Sequence, residues 1–308
     1  MSDKNTPVFA EKFKSKIGGQ ALIEGIMMLG PNKGAMACRL PDGSVDVETW
    51  DENNGKNAPW YKKFPLVRGC YSFVSSLVRG YKYMMKSADK QMTEEDKSEV
   101  SESVMDVIMA IGSIAGIVLA VALFIFLPRI LVGLIPAVHD RRIIRSVLEG
   151  LVKIALFVGY MAVISFMKDI KRQFMYHGAE HKTIACHEAE LPLTVENVRR
   201  QTRFHKRCGT SFIIIVLLVG IFVGCLIPFT VTWQRIAASL LLLPAVVGIS
   251  YEFIRLAGNN DNAFTRLLSA PGLAMQRITT REPDDSMIEI AIAALTPCIP
   301  EDKSEDKW

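Results

Sequence analysis

Apolar residues dominate four long stretches of the chain, at about 104–127, 144–167, 212–231 and 236–254. A helix needs roughly 20 such residues to cross the hydrocarbon of a bilayer. The pattern therefore predicts an integral membrane protein built on a bundle of four transmembrane α-helices. Pro128 closes the first span, Pro244 lies inside the fourth, and Trp233 and Gln234 mark a tight turn between the third and the fourth. A polar stretch, 168–210, separates the second span from the third, and a polar tail, 255–308, follows the last.

The segment before the first span is mixed. Residues 1–16 are polar and lysine-rich, a mobile tail. Residues 17–66 are punctuated by Gly18, Gly19, Gly25, Gly30 and Gly34. Within them, 35–40 and 45–50 flank the turn sequence Pro41-Asp42-Gly43-Ser44, so a β-hairpin is expected in a small N-terminal β-containing portion. The glycines lack the spacing of a dinucleotide fingerprint, and no phosphate-loop lysine and hydroxyl follow them. Glu24 reads as an exposed turn residue. Residues 67–103 form an amphipathic helix and a charged linker, with Arg68, Arg79 and Lys82 interrupting the apolar run. That helix fits either the membrane surface, basic residues toward headgroups, or the hairpin domain.

In the tail, Gly258 to Asn262 end the fourth helix. Residues 263–275 read as an amphipathic piece broken at Pro271-Gly272, and 287–295 as a short helix capped by Asp284 or Asp285. The terminal EDKSEDKW reads as disordered.

A formal charge of +4 is mild, and the basic residues cluster beside apolar segments. This excludes nucleic acid as the expected partner and leaves the lipid bilayer. The first hundred residues, the 168–210 loop and the tail share one side of a four-span bundle, and their Lys and Arg make that side cytoplasmic. The location is thus the cell membrane, multi-pass. No apolar leader opens the chain, and the six cysteines are too scattered for a disulfide framework. Gly112/Gly116 and Gly220/Gly224 are GxxxG pairs, suited to helix packing and to a homo-oligomer. Arg145, Glu149 and Lys153 recur on one helical face. They read as a paired stripe in the outer headgroup zone, in preference to a polar lining of the bundle interior.

The chemistry concentrates in 176–210, YHGAEHKTIACHEAELPLTVENVRRQTRFHKRCGT, which holds four of the five histidines. His177 and His181 are four residues apart, so a helix would bring both rings to one metal ion. Glu180 lies near that face, placed to accept a proton from water as a general base. Gly178 costs a helix on the order of 1 kcal/mol relative to alanine. Glu188 follows His181 by two helical turns, and His205 and Cys208 form an H-x-x-C pair. Imidazole, carboxylate and thiolate together suit a divalent transition metal, zinc or iron, and not magnesium or calcium. Between the halves, LTVENV reads as a helix start with Thr194 as cap and Asn197 at N3. Glu252, near the end of the fourth span, is a distant ligand or an orienting partner, with an ion pair to Arg255 as the alternative.

The segments IGGQALIEGIMM, PLVRG, YHGAEHKTIACHE, LTVENV, HKRCGTSF, ISYEFIR and APGLAMQRITTREP occur in this order. Together they resemble the YqhQ-like family of bacterial multipass membrane proteins. The resemblance runs from Ile17 to about Leu295. It implies a predicted metal-dependent enzyme of unstated reaction. It carries His177, Glu180, His181, Glu188, His205, Cys208 and Glu252 over as motif positions. His187 stands where the family usually has Tyr, Lys206 where it has Pro, and Leu29 where an arginine is common; His187 is therefore a poor ligand.

The expected function is a metal-dependent membrane hydrolase. Its zinc is held by His177 and His181 with Glu188, His205 or Cys208, and Glu180 is its base. The alternative is a non-enzymatic membrane scaffold or assembly factor with a structural metal. A transporter using the Arg145-Glu149-Lys153 stripe ranks last, because no repeated halves are visible.

Overall fold

A computed structural model describes residues 11–54, 59–92, 102–138 and 141–307. Residues 1–10 of the expected tail and 93–101 of the linker lie outside it. Strands β1 (Gly18–Leu22), β2 (Gly25–Leu29), β3 (Lys33–Arg39) and β4 (Val45–Asp51) form an antiparallel meander in chain order. The expected hairpin is its β3–β4 half. Residues 17–29 add two further strands, because Ile26 and Met28 face one core and Met27 the other. Trp50 of β4 lies over Gly34 of β3 and stacks on Tyr83 with ring centroids 4.4 Å apart.

One face of the sheet is covered by α1 (Val67–Lys90), through Tyr83 and Met84. Three of its basic residues turn toward the sheet: Lys86 and Lys90 pair with Asp46 and Glu48, and Arg79 with Glu52 at 2.7 Å. The opposite face of α1 leaves Val74, Leu77, Val78 and Tyr81 exposed. The helix therefore packs on the sheet and still presents an apolar stripe.

Four helices are long and apolar enough to span a membrane, over Val107–Gly133, Arg142–Ile164, Gly209–Leu226 and Thr232–Asn259. In the first, α2 (Glu102–Val121) passes through a π-helical turn, Ala122–Phe126, into α3 (Leu127–Gly133). Contrary to the expectation from sequence, Pro128 does not stop it, because the π turn loosens the ladder where the proline lacks its N–H. Arg129 is thus inside the span and not in a loop. Helix α4 (Arg142–Ile164) is the second span. Beyond the 168–208 segment come α7 (Gly209–Leu226) and α8 (Thr232–Asn259). Trp233 and Gln234 belong to the first turn of α8; the tight connection is 227–231. Helices α4, α7 and α8 pack side by side, α4 closing on α7 where Gly150 meets Ile221. A Cβ at Gly112 or Gly116 would meet nothing within 4 Å, so that GxxxG face is open.

The stripe on α4 also differs from expectation. Arg145 and Glu149 are buried and face α8, whose Arg235 pairs with Glu149 at 3.2 Å. Headgroup snorkelling gives way to an interior network because Glu149 finds two arginine partners there.

The remaining helices fold back on the sheet. They are α5 (Lys168–Glu188), α6 (Val195–Arg199), α9 (Ala263–Thr279) and α10 (Asp285–Leu295). Thr194 caps α6 by accepting from Asn197, and Asp284 caps α10 by accepting from Met287 at 3.0 Å. Helix α9 runs unbroken through Pro271; Gly272 there lets it lie directly on Ser211 of α7. Helices α5 and α10 cover the second face of the sheet, burying Tyr176, Ile184, Met287 and Ile288 against Ile26 and Met28. The two ends of the described chain meet rather than fraying. Ser15 bridges to Lys307, and its hydroxyl bonds the buried Asp306 at 2.7 Å.

Sheet, α5, α9 and α10 lie at the end of the bundle where α4 stops and α7 begins, opposite residues 134–138 and the connection 227–231. A membrane-impermeant maleimide is expected to label Lys303→Cys and Thr230→Cys from opposite faces of sealed vesicles; labelling of both from one face contradicts this arrangement.

Candidate metal centre

Helix α5 carries polar side chains on a buried face: Glu180, His181, Lys182, Thr183 and Glu188 are all shielded from solvent. It stays helical through Gly178 for a packing reason. A Cβ there would overlap the carbonyl oxygen of Arg281, whose own N–H donates to Phe174 O at 2.8 Å. The glycine that weakens the isolated helix is what lets the 280–284 segment lie against it. Gly178→Ala is expected to cost about 1–3 kcal/mol, read as a lowered thermal midpoint in detergent.

The i, i+4 spacing brings the rings of His177 and His181 to 4.4 Å between centroids. Cys208, at the N-cap of α7, closes on them from the other side, its Sγ 3.3 Å from His177 Nε2. One donor atom from each of His177, His181 and Cys208 lies within 4.8 Å of the other two. Both imidazoles are oriented from behind. His177 Nδ1 is 2.8 Å from Thr279 O, and His181 Nδ1 is 2.6 Å from Arg203 O. A carbonyl can only accept, so each Nδ1 donates its proton there, which leaves each Nε2 as the ring nitrogen turned toward the trio, the one a metal would take.

Glu180 sits beside this trio against β1, where a Cβ on Gly19 would come within 3.0 Å of its carboxyl carbon. Its Oε2 is buried without a hydrogen-bond partner. Burial pushes the Glu180 carboxyl up, against the pull of His177 and His181. Burial also disfavours a charged His177, but neighbouring Cys208 and Glu180 outweigh it and bring its pKa up to about 9. The Cys208 thiolate is likewise opposed by burial, yet the two histidines hold the thiol well below its usual value. The arrangement thus favours a Cys208 thiolate paired with a protonated His177, beside a Glu180 carboxyl that takes up protons easily.

Not all the expected ligands converge. Glu188 and His205 form a second group beside the first. Glu188 pairs with Arg207, reaches His205 Nε2 at 3.4 Å and accepts from Ser15 N at 2.8 Å. Its lone pairs are thereby committed to the chain. Burial works against its charge, but His205, Arg207 and the Ser15 amide lower its pKa below the ordinary 4.5. A depressed carboxyl contributes stability that is present above pH 4.5 and lost as pH falls through the folded value. Glu188→Gln is expected to flatten that acid limb of a thermal-stability curve measured from pH 7 to 3; an unchanged slope contradicts the pairing.

Glu252 is elsewhere. It binds Arg68, Nε to Oε1 at 2.8 Å, and accepts from Leu66 N at 3.2 Å, where Leu66 has a left-handed φ of 65°. It holds the start of α1 against α8, and neither the ligand role nor the Arg255 pair describes it. His187 bonds Asp306 at 2.7 Å and takes no part in the trio. Glu24, read as an exposed turn residue, accepts from the Tyr176 hydroxyl at 3.0 Å and pairs with Arg172.

Several residues that build the site carried no motif in the sequence. Gln276, fully buried, donates to His205 O at 2.7 Å and Ser211 Oγ at 2.9 Å, and accepts from His205 N at 2.8 Å. Arg203 clasps Thr280 O at 2.7 Å, which fixes the carbonyl that orients His181. The only signal was their place in the HKRCGTSF and APGLAMQRITTREP segments or beside them; the orienting groups are backbone carbonyls, which no side-chain pattern reveals.

The family model described as "Protein of unknown function (DUF1385)" matches residues 64–301. The chain belongs to the DUF1385 family. It is also 34% identical over 284 residues to the uncharacterized protein YqhQ of Bacillus subtilis (strain 168), covering 89% of each chain. The YqhQ-like resemblance read from the motifs is therefore correct. No solved structure matches the chain. The DUF1385 match includes the whole His-Glu-Cys cluster and all four spans.

Proposed function

We propose that this DUF1385 member is a membrane-anchored zinc protein in which His177, His181 and Cys208 hold the metal and Glu180 serves as general base. The observation that carries the reading is the buried, partnerless Oε2 of Glu180 beside three donor atoms whose imidazole tautomers are already set. A structural zinc site is closed by four protein ligands, whereas three ligands and a free carboxylate leave a position for substrate. Bound zinc would supply Lewis acidity there, polarising a carbonyl or phosphoryl oxygen. The chain's own contribution is to keep Cys208 ionised, aim both Nε2 atoms inward, and hold Glu180 ready to take a proton from water. His177 is the half-buried member of the trio, so the approach is from its side. This supports a hydrolytic reaction. The positive-inside bias of the flanking segments supports a site on the cytoplasmic face.

A non-enzymatic scaffold with a structural metal is the second reading. It is favoured by a specific observation: two of the three donors, His181 and Cys208, are shielded from solvent, as in a closed structural site.

Metal analysis of the purified protein is expected to find about one zinc ion per chain, and Cys208→Ser or His177→Ala to lower it severalfold. Loss of Cys208 and His177 without loss of zinc would sink the site. Glu180→Gln separates the two readings. The hydrolase requires that zinc stays bound while any phenotype of deleting the gene fails to be complemented; complementation by Glu180→Gln leaves only the structural metal.

A further inference from the structure

The end of the bundle opposite the metal trio holds a second buried polar cluster. Arg145 on α4 donates Nε to Glu149 Oε1 at 3.0 Å and reaches Thr230 O at 3.3 Å and Thr232 Oγ1 at 3.4 Å. Arg235 on α8 reaches the other oxygen of Glu149 at 3.2 Å and Ser146 Oγ at 2.9 Å. Arg129 on α3 donates to Ile125 O at 3.0 Å and Ser239 Oγ at 3.1 Å. Lys153 follows Glu149 by one turn of α4 and lies within electrostatic reach of Arg129, Glu149 and Arg235. Among the described residues this cluster sets four cations against one carboxylate, a formal excess of three positive charges.

Such an excess is costly at membrane depth. Arg129 and Arg235 are only 5% and 3% exposed, and the Nε of each is buried without a partner. Beside them opens a cavity of about 390 Å³ lined by Phe126, Arg129, Ile130, Gly133, Arg145 and Thr232. We propose that this cavity binds a phosphate group, carried by an anionic phospholipid headgroup or present as free phosphate at that face of the membrane. Guanidinium forks match phosphate geometry and stay charged at any working pH. Thr232 offers a hydroxyl beside them. The walls of Phe126 and Ile130 suit the apolar neck of a lipid better than they suit a small hydrated ion. Glu149 does not line the cavity; it pairs with Arg145 and Arg235 and leaves the net charge positive.

The test uses the delipidated full chain in a zwitterionic detergent. Short-chain phosphatidylglycerol, phosphatidylcholine and inorganic phosphate are titrated against wild type, Arg129→Gln, Arg129→Lys and Glu149→Gln, with the thermal midpoint as a check on folding. Saturable binding of phosphatidylglycerol over phosphatidylcholine is expected, weakened about tenfold in Arg129→Gln, less in Arg129→Lys, and retained in Glu149→Gln. Binding of phosphatidylglycerol without competition by inorganic phosphate identifies the headgroup as the source; competition identifies a site for soluble phosphate, and both uphold the proposal. Equal binding of the two lipids with no phosphate binding overturns it. So does undiminished phosphatidylglycerol binding by a folded Arg129→Gln. If Arg129→Gln does not fold, equal weakening in Arg129→Lys and Glu149→Gln overturns it, because that pattern marks a structural role alone.

Discussion

Helix α5 buries charge and imidazole where most helices bury only aliphatic groups, and the soluble part of the molecule is arranged around satisfying them. An unpaired buried polar group costs kilocalories, so each must be answered by a partner. Lys182 is answered by Glu282 at 2.7 Å and by Arg199 O at 3.0 Å. Glu188 is answered by Arg207, His205 and Ser15, and the two site histidines by carbonyls of Thr279 and Arg203. These partners come from the N-terminus, the 199–208 connection and the 279–282 segment, which explains why pieces far apart in the chain fold onto one helix. Glu180 is the exception, its Oε2 left unanswered, and the exception sits beside the donor atoms of His177, His181 and Cys208.

The molecule divides its polar burial between two ends. At one end, a sheet with helices on both faces encloses α5, and the partners are backbone carbonyls and carboxylates. At the other, three arginines and a lysine gather around Glu149 within the spans. The first end is close to neutral pairing around the His177, His181 and Cys208 trio. The second is unbalanced in charge. Between them α4 and α7 pack closely where Gly150 meets Ile221, and Gly248 of α8 makes room for Leu66 at the start of α1. Helix α2 stands apart, with no buried residue in its most apolar window, as a helix facing lipid can.

The spans, the caps of α6 and α10, and the pairing of His177 with His181 were legible because each is a local matter: run length, a capping side chain, an i, i+4 spacing. Cys208 joined them as expected, since its neighbours place it at the start of a span. Glu188 was on the correct helical face, yet spacing does not reveal that Arg207 and Ser15 would claim its oxygens first. Glu252 had two plausible roles, and its true partner, Arg68, lies 184 positions away in the chain. Pro128 and Pro271 looked like stops. A π turn at one and close packing at the other carried the helices through.

The sequence by itself determined the four spans, the shared side of the polar segments and the donor types available near 177–208, because hydropathy and helical periodicity act over a few turns. Only the tertiary structure decided which donors meet. That choice depends on long-range contacts: Thr279 and Arg203 carbonyls aiming two imidazoles, Gln276 clamping the His205 backbone, and Gly178 making room for Arg281. The interior placement of Arg129, Arg145 and Arg235 was decided in the same way. A charged residue in an apolar helix goes where its partners are, and those partners sit on other helices.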